Sequence, residues 1–126
     1  MLTLHPFDTL SRYNEGPYAL LPDQLQHYLS AATQFPALRE LAECDPYDGH
    51  QFSAAQAAEL REELARFAQR VHRRDVPKPP EMVSNSPGEP ADERYGWEGL
   101  ELFCRQFDDV LSEGITSGAG IVSLGD

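Results

Sequence analysis

A mainly α-helical fold, a small bundle of about four helices, is what this chain predicts, and three observations carry that expectation. Ala57, Leu60, Leu64, Phe67 and Val71 recur at alternating steps of three and four, which places them on one stripe of a helix. Trp97, Leu100, Cys104, Phe107 and Leu111 repeat the spacing later in the chain, with Phe103 and Val110 widening the stripe. Leu21, Leu25, Tyr28, Leu29 and Ala32 share a third, shorter face. Apolar residues are an ordinary 40% of the 126, so one domain spanning 1–126 with one core is expected.

Taken in order, residues 1–19 mix Pro6, Gly16 and Pro17 with Phe7, Leu10, Tyr13 and Tyr18, the pattern of an irregular arm whose aromatics tuck onto the core. Residues 22–43 read as two short helices. The first opens near Pro22 or Asp23, and Pro36 interrupts it and starts the second, which carries Leu38, Leu41 and Ala42. Asp45-Pro46-Tyr47-Asp48-Gly49 is a turn by its chemistry, delivering the chain to Phe52. The central helix, 53–74, starts at Ser53, where Ser-Ala-Ala-Gln reads as a capping box through Gln56. Glu59, Glu62 and Glu63 sit in its first half and Arg66, Arg70, Arg73 and Arg74 in its second, complementing the helix dipole.

Residues 75–94 hold half of the ten prolines and read as a Pro-rich loop, either a connector or a segment that touches a partner. The last helix, 95–113, is expected to stop at Gly114. Two helices with matching seams, joined by such a connector, are expected to pack along each other. The tail, 114–126, contains Ile121-Val122-Ser123-Leu124, short enough for one strand. A minor β element of two or three strands, shared with the N-terminal arm or with Tyr18 to Leu21, would give it a mate.

Charge is the main departure from average composition. The net charge is −11, with seven acids and two bases in residues 1–52, three acids and five bases in 53–74, and eleven acids and three bases in 75–126. Such a field repels phosphate backbones and anionic membranes and speeds encounters with basic partners, so neither nucleic acid nor membrane is an expected partner. Met1 to Arg12 lacks the basic and apolar regions of a signal peptide, and no run approaches the roughly 20 apolar residues that span a bilayer. Cys44 and Cys104 are too sparse for a disulfide framework or zinc site, so a cytoplasmic protein with reduced thiols is expected.

Chemistry-bearing motifs are scarce. His5, His27, His50 and His72 are widely separated, and the tightest cluster, Asp45, Asp48 and His50, lacks the further oxygen ligands of a cation-binding loop. No serine sits in a GxSxG elbow, and Cys104 on an apolar stripe reads as a core thiol. Gly114, Gly118 and Gly120 lack the Lys-Ser/Thr and following helix of a phosphate loop. Adjacent acids such as Asp108-Asp109 and Glu62-Glu63 read as solvated helix faces. Neither a metal, a cofactor nor an enzymatic activity is expected.

What these residues suggest is a small acidic cytoplasmic binding protein. It resembles, in type though in no motif, small bacterial binding proteins such as immunity proteins that neutralise basic toxin domains and acidic inhibitors that mimic nucleic acid. The expected contact surface is the acidic stretch 81–113, namely Glu81, Glu89, Asp92, Glu93, Tyr95, Trp97, Glu98, Glu101, Asp108 and Asp109, with the aromatics as anchors. Two alternatives stand beside it. One is a small-molecule or metal-binding enzyme domain gathering His27, Asp48, His50 and His72 near a pocket; the other is a homodimeric structural subunit pairing an uncovered apolar stripe across a two-fold axis.

Overall fold

The computed structural model describes residues 2–7, 16–45, 48–80 and 96–125. Eight elements follow in chain order: β1 Leu2–Pro6, β2 Ala19–Leu21, α1 Asp23–Ala32, α2 Pro36–Ala42, β3 His50–Phe52, α3 Ala54–His72, α4 Trp97–Ser117 and β4 Ile121–Gly125. The chain is mainly α, with one antiparallel sheet in the order β2-β1-β4-β3. Leu2 pairs with Leu21 on one side and with Gly125 on the other, and Phe52 pairs with Ile121 at the far edge.

The helices form where their stripes and caps agree. At the start of α3 the Ser53 amide donates to Gln56 Oε1 at 2.8 Å and the Gln56 amide to Ser53 Oγ at 3.2 Å, so the capping box is complete. Its apolar stripe, Ala57 to Val71, is buried throughout. At its other end the Asp75 amide donates to Arg70 O and the Arg74 amide to Val71 O, the two bonds of a Schellman motif. Arg74 takes the left-handed position, φ 58°, usually left to glycine. Pro36 occupies the first turn of α2 as expected. The free amides of that turn are satisfied from a distance: Ala37 and Leu38 donate to Glu63 Oε1 of α3 at 2.8 and 3.1 Å.

The buried side chains make one contiguous cluster. Helix α4 touches β1, β2 and β4, α3 lies along α4, and α2 and α1 follow against α3 and α2. Leu64 and Phe107, one on each seam, are 2% and 0% exposed, so the two long helices do meet seam to seam. Gln26, buried on α1, donates through Nε2 to Cys44 O at 2.7 Å and ties the end of α2 to α1. Tyr28 donates to Pro77 O, and the Gly96 amide donates to Pro80 O at 2.9 Å, so the chain is pinched together on either side of residues 81–95.

Four expectations are corrected. The arm is not irregular from its start, because Leu2–Pro6 is a strand at the middle of the sheet. The sheet has four strands rather than two or three, since His50–Phe52 pairs with β4; three residues show no periodicity and become a strand only through that register. The last helix runs through Gly114 to Ser117 and ends on Gly118 at φ 77°. Gly114 is instead where the tail crosses the helix, since a Cβ there would lie 2.5 Å from Gly120 O. Finally, Phe7 and Tyr18 stay exposed, at 38% and 52%, instead of tucking onto the core, while Leu10 and Tyr13 lie outside the described residues.

Candidate functional site

Among the described residues, titratable side chains line two concave surfaces. The first is a groove of about 730 Å³ between α3 and α4. Leu64, Ala65, Ala68, Val71 and Cys104 form its floor, and His72, Glu101, Arg105, Asp108 and Asp109 stand around it. Burial and the nearby Glu101 carboxylate push the Cys104 thiol up to about 12, so it stays protonated and acts as a small apolar residue.

Much of the acid on this side is matched within the molecule. Arg61 Nε meets Asp108 Oδ1 at 3.0 Å and Arg74 Nη1 meets Glu101 Oε1 at 2.8 Å. The Arg74 guanidinium also lies 4.6 Å from the centre of the Trp97 ring. Its left-handed backbone turns the side chain back onto α4, so one strained residue closes the helix and covers the tryptophan. Of the residues expected to meet a partner, Trp97 is half-buried beneath Arg74, Glu101 and Asp108 are ion-paired, and Glu98 and Asp109 are exposed on α4. Glu81, Glu89, Asp92, Glu93 and Tyr95 lie outside the described residues.

The second surface is a hollow of about 390 Å³ beside the edge strand β3. The last turn of α2 contributes Glu40 and its C-cap Glu43, the following turn Cys44, Asp45 and Asp48, β3 His50, Gln51 and Phe52, and the first turn of α3 Gln56. Four carboxylates and one imidazole therefore line the same hollow. Arg39, which pairs with Glu43 at 3.1 Å, is outside the lining. The His50 Nε2 atom is buried and finds no hydrogen-bond partner among the described residues, while its backbone oxygen accepts from Ser123 Oγ at 3.5 Å.

Asp48 and His50 thus share a cavity, but His27 is exposed on α1 and His72 stands at the α3–α4 groove. The four residues of the enzyme reading do not converge. Cys44, Asp48 and His50 together suggest a thiol nucleophile with a base, yet the electrostatics run the other way. Burial and the Glu40 carboxylate raise the Cys44 pKa, and its thiol donates to Glu40 O at 3.4 Å. Among the described residues no three His, Cys, Asp or Glu side chains are grouped so as to share a metal ion. No described helix is long and apolar enough to cross a membrane.

Glu40 and Glu43 are the site residues that reading the sequence missed. Their signal was position: they close a helix just before an Asp-Pro-Tyr-Asp-Gly turn, which folds Asp45 and Asp48 back beside them. Glu63, read as part of a solvated pair, is half-buried and caps α2, whereas Glu62 pairs with Arg66 at 2.8 Å in water. No protein family, curated protein or solved structure matches this chain.

Proposed function

We propose that the protein is an acidic binding protein that covers a basic protein partner in the manner of an immunity-like inhibitor, taking an arginine or lysine of that partner into the α2–β3 hollow. The observation that carries this reading is the charge of the concavity, where Glu40, Glu43, Asp45 and Asp48 line a space large enough for one such side chain. A cation entering there replaces water with several carboxylate acceptors, and charge-assisted hydrogen bonds of this kind are stronger than neutral ones. The net charge of −11, to which the acids of residues 81–113 contribute, steers the encounter at long range, and the hollow then fixes the register. Inhibition is by occlusion and requires no chemistry from the hollow.

The test uses the whole protein immobilised beside a variant carrying Glu40→Gln, Glu43→Gln, Asp45→Asn and Asp48→Asn, both exposed to native lysate at low and physiological salt. A basic protein retained by the wild type, lost by the variant and silenced on mixing is the expected result. Retention that the four substitutions leave unchanged, or no retained protein even at low salt, overturns the reading.

A further inference from the structure

We infer that the α3–α4 groove is the interface of a two-fold dimer, with a second copy of this chain as its occupant. The argument is the order of charges along the groove. The pairs Arg61 with Asp108 and Arg74 with Glu101 show that α4 descends as α3 ascends. Along α4 the groove therefore carries Asp109, then Arg105, then Glu101, beside the Arg61-paired Asp108, while His72 lines it from α3. On α4 the first three are spaced one helical turn apart.

Turning a copy about an axis midway between Arg105 and Glu101 reverses this order. Arg105 then faces Glu101 of the second copy, and Glu101 faces its Arg105. This contact joins groups of opposite sign and occurs twice, as an isologous interface demands. The same pattern fits a uniformly basic segment poorly, because Arg105 lies in its middle. Ala65 and Ala68 on the floor keep α3 slim, so a facing helix pair can approach closely and complete a four-helix arrangement of α3 and α4 with their counterparts. This surface is separate from the α2–β3 hollow, and each copy keeps its hollow open.

Charge exchange tests the pairing directly, because both partners of each contact sit on every chain. Arg105→Glu alone places two glutamates opposite each other twice. Combining it with Glu101→Arg restores opposite signs at both contacts. Sedimentation equilibrium of the full chain is expected to give a dimer whose dissociation constant rises at least about tenfold in Arg105→Glu, equivalent to about 1.4 kcal/mol, and recovers to within about threefold in the double variant. Ala55→Arg, on an exposed part of α3 outside the groove lining, is expected to shift it less than about twofold. Far-UV circular dichroism and the thermal midpoint verify that each variant is folded. A wild-type chain that stays monomeric at hundreds of micromolar, a dimer indifferent to Arg105→Glu, or a double variant no better than the single one overturns the inference.

Discussion

The α3–α4 seam and the α2–β3 hollow are built from the same acidic composition, yet they treat charge in opposite ways. On the seam, acids of α4 meet bases of α3 and its C-terminal cap, as in Arg61 with Asp108 and Arg74 with Glu101. In the hollow, four carboxylates line one cavity and the only basic group among the lining residues is His50. A segmental tally places the greater acidity in residues 75–126, but a field depends on what lies across from each charge, and α3 supplies those counter-charges. The seam thus owes its strength to apolar burial, while the hollow gathers four carboxylates along one concave surface.

The sharpest way to break this comparison is to remove apolar mass from the seam. Leu64→Ala and Phe107→Ala are each expected to cost about 2–5 kcal/mol, read from urea or guanidinium midpoints. Unchanged midpoints would mean that the seam is not the core. Next, Gly114→Ala drives a methyl group against Gly120 O. The backbone displacement is expected to outweigh the roughly 1 kcal/mol of helix propensity that alanine offers, for a net loss of about 1–2 kcal/mol in the same measurement. Glu63→Ala strips two amides of α2 of their acceptor and is expected to cost about 1 kcal/mol, with amide exchange quickening at Ala37 and Leu38 before it does elsewhere.

His5 gives a pH-dependent version of the same contrast, since the sheet buries this imidazole and desolvation lowers its pKa below 6.5. The unfolded chain therefore binds the proton first. Stability falls as pH drops from about 6.5 towards the folded-state pKa and, for this group, levels off beneath it. Denaturant midpoints measured across that window should decline less in His5→Gln than in the wild type. The smallest effects separate the two charged surfaces. Glu101→Gln with Asp108→Asn should lower stability by about 0.2–1 kcal/mol, whereas Glu40→Gln with Asp48→Asn should raise the thermal midpoint, and salt should shrink both differences. Equal signs for the two variants would erase the distinction between the ion-paired seam and the carboxylate-lined hollow.

The helical part of the fold was legible because its determinants are local. Ser53 and Gln56 cap α3 from three residues apart, Pro36 starts α2 from its first turn, and the two stripes of three-and-four spacing identify the faces that meet. The sheet was far less legible. Ile121 to Leu124 hinted at a strand, with the N-terminal arm or Tyr18 to Leu21 as its mate, but His50–Phe52 carries no pattern of its own before β4 pairs with it. Gly114 misled for a related reason: glycine serves a helix end and a close backbone crossing equally well, and only the position of Gly120 tells them apart.

For the candidate site the division is similar. Composition announced an acidic protein, and the turn chemistry after α2 brought Asp45, Asp48 and His50 to notice within six residues. Which acids stay matched and which gather around a cavity was decided by packing, because Arg61, Arg74 and Glu63 act on groups 25 to 47 positions away. Helix periodicity and caps are short-range physics that a chain carries in its own order of residues. Charge compensation, strand register and the shape of a hollow depend on distances through space, which exist only once the chain has folded.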